Sequence, residues 1–490
     1  MVADATYWAD QLRLGRVSFE EMIQMLQRKI ANLNPQLNAL VSFNPVVGKN
    51  TYQQMLDVND QLFAGLPVPT KILSQAATGL PVTAATKLFK DVVAKEDTNF
   101  IKQVKKIGLV PMATTNAPEF GFKNVTDSVL YGNACNPWNL AHTPGGSSGG
   151  AAAAVAAGIF PLALASDGGG SIRIPASFNG LVGLKPTRGT IPVGPDSWRS
   201  WQGAAIDFAL TISMRDTKRL FYGLRSQADT APYQAPQTEW MHFLDDDFST
   251  RPLRVAINTK SPVGTPVDAA AVAAVEKAAS FLQLELGCEI KEDTPKIAGH
   301  ASMETYYAMN GAETAAMFDE IAQKIGRTVT QKDVEPLTWA LNQYGQRLSA
   351  KSYIQTLNAW DTAADKVDSF FTQYDLYLTP TTAQTAPKLA ARTENIVPEL
   401  LAPQDISIEE NAAMIYEMFE PSLAVTPFTQ LANLTGNPAL SLPIAISKKM
   451  PLGVQLMAAK GREDVLFEVG HAFEEAGMFK LPPFYNGIVN

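Results

Sequence analysis

The chain has 490 residues, 46% hydrophobic and 18% charged, a balance that excludes a disordered, collagenous or coiled-coil protein. Lysine plus arginine is 40 against 48 acids, a net charge of −8, and this dispersed acidity gives nucleic acid or anionic lipid no electrostatic footprint. The two cysteines, Cys135 and Cys288, make neither a disulfide framework nor a CxxC pair for metal or redox work.

The first residues carry no basic and then apolar export signal, so a cytoplasmic location is expected. A helix is expected over 20–33, where Met22, Ile23, Leu26 and Ile30 share a face behind a Ser18 cap. A second helix over 98–107 leads into a strand at 109–114. The apolar run 151–165 is shorter than the roughly 20 residues a spanning helix needs and contains Gly158 and Pro161. It reads as buried core ending in a strand at 161–165, with no membrane segment. Strands at 253–257, 376–378, 440–443 and 453–457 alternate with helices over 269–286, 304–325, 353–371 and 464–476. Such alternation indicates an α/β protein whose sheet is covered on both faces. Without repeats, low-complexity tracts or linkers, residues 1–490 read as one large domain.

Residues 143–190 hold a third of the 33 glycines, and their only charges are Asp167, Arg173, Lys185 and Arg188. Glycine brings backbone N–H groups close to a ligand or permits unusual dihedrals, and uncharged backbone of this kind must be buried and satisfied internally. Two serine loops stand out: Gly145-Gly146-Ser147-Ser148-Gly149-Gly150, and Asp167-Gly168-Gly169-Gly170-Ser171-Ile172-Arg173. The first formally fits a G-x-S-x-G nucleophile elbow, yet of the four histidines His471 lies within the last expected helix, where a triad base does not belong. No Lys-Ser or Lys-Thr closes a phosphate loop. A purely structural glycine loop is the remaining plain reading.

Together the loops resemble the amidase signature family. The match runs through Gly145–Gly150, then Ser166-Asp167-Gly168-Gly169-Gly170-Ser171-Ile172-Arg173-Ile174-Pro175-Ala176, then Gly180-Leu181-Val182-Gly183-Leu184-Lys185-Pro186-Thr187. Flanking pieces agree at Thr115–Gly121, Asn433–Ala439, Gly453–Leu456 and Gly461–Asp464, so the resemblance covers most of the chain from about 60 to 480. It implies a mixed, twisted β-sheet sandwiched between layers of α-helices. The motif core lies at about 60–200, a C-terminal return at about 425–480, and a variable, pocket-forming stretch at about 201–416.

By position, the resemblance makes Ser171 the nucleophile, Ser147 a bridging serine with a cis peptide, and an upstream lysine the base. Gly65-Leu66-Pro67-Val68-Pro69-Thr70-Lys71 has the family's Gly-x-Pro-x-x-x-Lys spacing, with Ile72 where Asp is usual; Lys90-Asp91 lacks the Gly-x-Pro lead and Lys87 comes two residues late. Lys71 is therefore the expected base. A serine hydroxyl needs a base, and lysine serves only when burial favours its neutral form. Gly168, Gly169, Gly170 and Ser171 offer consecutive N–H donors for an oxyanion. Asp167 and Arg173 are expected to pair and fix the loop, with a substrate contact the alternative for Arg173. Ser148 is read as a structural hydrogen-bonder, and Lys185 as holding the loop before Pro186.

The resemblance implies an amidase acting through an acyl-enzyme on a small-molecule amide, with no metal or other cofactor. The rival is the amidotransferase A subunit that releases ammonia from glutamine for tRNA-bound glutamate. That subunit commonly has Thr and Gln where this chain has Gly168 and Ile174, and Tyr-Gly-Arg-Val where this chain has Arg188-Gly189-Thr190-Ile191. A silent binding protein is a third class, disfavoured by the presence of Lys71, Ser147 and Ser171 together. Ile174, Phe178, Trp198 and Trp201 hint at an apolar pocket, and Phe120-Gly121-Phe122 is either pocket wall or core. Asp245-Asp246-Asp247 lacks the glycine and distal Glu of a calcium loop and reads as a solvated turn. Dimers are common in the family, making a homodimer the expected assembly should the chain associate; the sequence itself carries no signal for it.

Overall fold

A computed structural model describes residues 2–226, 228–236, 252–391 and 393–487; Asp245-Asp246-Asp247 lies outside the described residues. The first three strands, β1 (Leu40–Phe43), β2 (Leu66–Lys71) and β3 (Leu109–Thr115), form a small sheet with β3 at its centre, antiparallel to β1 and parallel to β2. A two-stranded ribbon follows, β4 (Asp127–Ser128) with β5 (Gly132–Asn133). Eight strands make the main sheet: β6 (Ala163–Asp167), β7 (Val182–Lys185), β8 (Ile206–Thr211), β9 (Arg254–Ile257), β10 (Glu289–Glu292), β11 (Leu376–Pro380), β12 (Ala439–Ser447) and β13 (Met450–Met457). Their order is β10-β9-β11-β13-β12-β7-β8-β6. Strand β9 runs parallel to β10 and β11 while the other pairings are antiparallel. This is the mixed sheet between helices that the sequence leads one to expect.

The helix Gly149–Ala156 ties the two sheets into one core. Every residue in it is buried, as an alanine-rich helix without a polar face must be. Its alanines pack with Leu66, Val68 and Met112 of the small sheet and with Leu164 and Leu210 of the large one. A separate apolar cluster, built on Met303, Leu341, Ile415 and Met418, holds the helices Gly299–Ile325, Pro336–Gly345 and Ile408–Val425 together. Among the described residues no helix is long and apolar enough to cross a membrane.

Local chemistry explains where the elements depart from expectation. The first long helix runs Phe19–Leu37 rather than 20–33: Ser18 and Glu21 form a reciprocal capping box, and Asn38 closes the far end at φ 47°. The strand expected at 161–165 begins at Ala163, past Pro161, which has no N–H for a ladder. Strand β12 extends beyond 443 because Pro443 falls within an irregularity of register between Leu442 and Ala445, after which pairing with β13 resumes. The small sheet's β2, with Pro67 and Pro69, is an edge strand, one of the places where a sheet accepts prolines.

Candidate active site

Lys71 ends β2, and its side chain crosses from the small sheet to the large one. Its Nζ lies 2.7 Å from Ser147 Oγ and 2.8 Å from Ser166 Oγ, and the residue is only 1% exposed. Burial penalises the ammonium and brings the lysine down to about 7, against the opposing pull of Asp207 and Asp167. The Gly146–Ser147 peptide is cis. Lys87 is exposed, and Lys90 pairs with Asp91 at the surface.

Ser147 and Ser148 lie just before the buried helix Gly149–Ala156. Ser148 turns away from the lysine: its Oγ donates to Ser166 O (3.2 Å) and accepts from Ser166 N–H (3.3 Å). Gly121, at φ +75°, passes so close that a side chain there would come within 3.2 Å of Ser147 Oγ.

The loop from Asp167 to Arg173 is shaped by a fully buried ion pair. Arg173 Nε and Nη2 donate to Asp167 Oδ2 and Oδ1 at 2.9 and 2.8 Å, a bidentate geometry. Arg173 also donates to Thr429 O, Gln455 Oε1 and Asn433 Oδ1, so its guanidinium is committed within the protein. Burial alone raises Asp167, but Arg173 and the Asn433 hydrogen bond outweigh it and hold the carboxyl at about 2.

This pair corrects one expectation. Gly170 N–H donates to Asp167 Oδ1 at 2.7 Å and so is not open to an oxyanion. Gly170 instead shapes the loop: its φ is +130°, and a side chain there would collide with the Thr429 hydroxyl. The neighbouring peptides are pinned by their carbonyls. Asp167 O accepts from Asn433 Nδ2 (3.1 Å), Gly168 O from Tyr306 Oη (3.1 Å), and Gly170 O from Ile174 N–H (2.7 Å). In a trans peptide the N–H points opposite its C=O. The N–H groups of Gly168, Gly169 and Ser171 therefore face away from these anchors, and they meet no acceptor among the described residues.

Ser171 opens onto two cavities. The larger, about 450 Å³, also reaches Ser147 and Ser166; its walls are mostly apolar, among them Leu73, Phe100, Phe120, Ile191 and Met317, with Asp196 and Asp207 as carboxylates. The smaller, about 30 Å³, is bounded by Met303, Tyr306, Tyr307 and Phe419. Gly121, Ser171 and Trp201 border both, so Phe120 and Phe122 face different compartments. The larger cavity is lined mostly by residues before 201, with Trp201, Ala205, Ile206, Asp207 and Met317 from the stretch 201–416, whereas Trp201, Met303, Tyr306, Tyr307 and Asn310 of that stretch line the smaller one. Ile174 and Phe178 are buried in a cluster with Ala386 and Met450, off the cavity walls, and Trp198 is 37% exposed.

Three residues of this site escape a reading by motif, Gln75, Asp207 and Tyr306, and Ser166, though it stands at the head of the second motif, is given no role by it. Gln75 Oε1 accepts Lys71 N–H (2.8 Å), and its Nε2 donates to Ala165 O and Asp207 Oδ1. Asp207 stands opposite Ser166 in the β6–β8 ladder. No spacing in the sequence announces that pairing, because it depends on the register between two strands.

A buried amine, two hydroxyls and a row of unengaged N–H groups around one cavity is an arrangement able to move a proton and to hold a developing oxyanion. A model of the Amidase family matches residues 21–467. The chain is 37% identical over 494 residues to a lipoamidase of Enterococcus faecalis, covering 98% of this chain and 64% of that protein. It thus spans somewhat less than two thirds of that relative's length. It is 32% identical over 482 residues to a 6-aminohexanoate-cyclic-dimer hydrolase of Paenarthrobacter ureafaciens, covering 96% and 94% of the two chains. A solved structure of 6-aminohexanoate cyclic dimer hydrolase superposes with a TM-score of 0.86 at 30% identity, over 98% and 97% of the chains.

Proposed function

The chain belongs to the amidase family as an amidase signature hydrolase, and from that premise we propose that it cleaves a carboxylic amide through an acyl-enzyme on Ser171. Ser171 Oγ attacks the amide carbon; its proton passes to Ser147 Oγ as the Ser147 proton passes to neutral Lys71. The carbonyl oxygen, now an oxyanion, takes hydrogen bonds from the N–H groups of Gly168, Gly169 and Ser171, each such donor being worth about 3 kcal/mol of barrier. Returning the proton along the relay to the amide nitrogen breaks the C–N bond and releases ammonia or an amine. Water then attacks the ester by the same relay, giving the carboxylate and free Ser171. Asp167, Arg173 and Ser148 hold the loops and take no part in proton transfer.

The observation that carries this reading is the Lys71 amine, buried, lowered to about 7, and 2.7 Å from Ser147 Oγ. A cavity of about 450 Å³ with apolar walls is of ligand-binding size and favours an amide with an extended aliphatic or aromatic group. Lipoyl amides and the cyclic 6-aminohexanoate dimer, taken from the names of two relatives, belong in the first screen beside simple aliphatic and aryl amides.

The test is intact mass after a small fluorophosphonate, with peptide mapping, and amide hydrolysis by the isolated protein. A single adduct on Ser171 that blocks hydrolysis is the expected outcome. An adduct on Ser147 would exchange the two serines' roles. Glutaminase activity that needs a partner, with no adduct on the protein alone, would favour the amidotransferase subunit.

A further inference from the structure

The relay leaves one acidic side chain of the site without a role. Asp207, on β8, lines the larger cavity and accepts hydrogen bonds from Ser74 Oγ (2.9 Å) and Gln75 Nε2 (3.0 Å), both on Oδ1. Among the described residues it makes no ion pair, and Oδ2 has no hydrogen-bond partner. Directly opposed residues of an antiparallel pair sit on one face, their Cβ atoms about 5 Å apart; Asp207 is opposite Ser166, whose hydroxyl touches Lys71 Nζ. Gln75 closes the circuit by accepting the Lys71 N–H while donating to Asp207.

We propose that Asp207 is a positioning residue for Lys71: an unpaired carboxylate, joined to the lysine's backbone through Gln75, whose charge governs how readily the amine takes a proton from the serine relay. This deepens the function proposed above and rests on its assignment of Ser171 and Lys71. The other carboxylate acting on Lys71 is Asp167, and its charge is already matched by Arg173 across a bidentate pair. Asp196 lines the same cavity but is exposed to water. That leaves Asp207 as the unmatched charge. Burial raises Asp207 and lowers Lys71, so the two titrate toward each other, and removing the carboxylate removes a stabilising partner of the ammonium.

Asp207→Asn keeps the acceptor for Ser74 and Gln75 and deletes the charge. The readout is the rate of Ser171 modification by a small fluorophosphonate as a function of pH, which needs no knowledge of the natural amide. In the parent protein the rate is expected to rise through about pH 7 as Lys71 loses its proton. In Asp207→Asn the midpoint should fall by about one pH unit, as befits loss of a neighbouring opposite charge, and the plateau should drop because a weaker base accepts the proton less readily. Asp207→Glu should restore most of the midpoint. The melting temperature of each variant separates this effect from misfolding.

An unchanged midpoint and plateau in folded Asp207→Asn would overturn the proposal. So would an unchanged midpoint with a raised KM for amides, which would make Asp207 a substrate contact. If Ser171 of the parent protein is modified at no pH, the assignment of Ser171 and Lys71 falls, a result distinct from either of these.

Discussion

Lys71 closes β2 and Lys185 closes β7, and the two make a natural comparison. Each is 1% exposed, and each is brought down to about 7, by burial first of all. Their surroundings then diverge. The Lys71 amine meets two hydroxyls beside an open cavity, whereas the Lys185 amine donates to the carbonyl of the adjoining Pro186 at 2.6 Å, with Arg173 adding a second downward push. Lowered basicity thus follows from burial wherever a lysine is buried. A base is recognised by what its nitrogen touches, and by that criterion the proposed chemistry belongs at the β2 end of the molecule and not at the β7 end.

The comparison breaks most sharply at the proposed nucleophile and base. Ser171→Ala and Lys71→Met should each lower amide turnover by at least about 1,000-fold, as loss of one member of a hydrolytic triad does, with the melting temperature little changed. In the parent protein, kcat/KM should rise through about pH 7, because the proposed relay works through the neutral form of Lys71. A Lys71→Met protein of near-normal rate would put the β2 end on the same footing as β7.

Arg173→Met tests the scaffold beneath both regions. Removing one partner of a buried ion pair costs about 3–5 kcal/mol, readable as lowered thermal stability at neutral pH. The sign with pH follows from Asp167, which is held at about 2 in the folded chain. Its stabilising contribution is complete above the ordinary carboxylate range and is lost as pH falls through about 2. The parent and Arg173→Met proteins should therefore converge in stability toward strong acid.

Ser166→Ala should cost about tenfold in turnover, the order of one buried hydrogen bond to the lysine, with substrate KM nearly unchanged. Lys185→Met sharpens the comparison from the other side, with turnover within about threefold and stability within about 1 kcal/mol, since replacing a buried ionisable group by an apolar one of similar volume is close to neutral. If Lys185→Met instead abolishes turnover in a folded protein, the β7 end has chemistry of its own.

Much of this was legible in the sequence for a physical reason. Backbone that must approach a reacting atom requires glycine, and the two serine loops announce themselves through that requirement. The alternation of strand and helix likewise follows from hydrophobic periodicity. What stayed hidden depends on contacts between segments far apart in the chain. The motif includes Ser166 but assigns it no contact until β2 lies beside β6, and Asp207 looks like a surface acid until the β6–β8 register sets it opposite Ser166. Gly170 differs again: the motif marks it correctly as a required glycine, yet only the hydrogen bond to Asp167 reveals that its N–H is already engaged.

Lys71 belongs to the three-stranded sheet and Ser166 to the eight-stranded one, so the amine reaches its hydroxyls across a seam that no strand pairing bridges. Turnover then acts as a gauge of the spacing between two sheets, each of which can keep its own ladder intact while the gap widens. On heating, activity should be lost several degrees before the backbone signal of either sheet changes. Substitutions that loosen the alanine helix spanning the seam, Ala152→Gly for instance, should widen that interval without touching any residue of the relay.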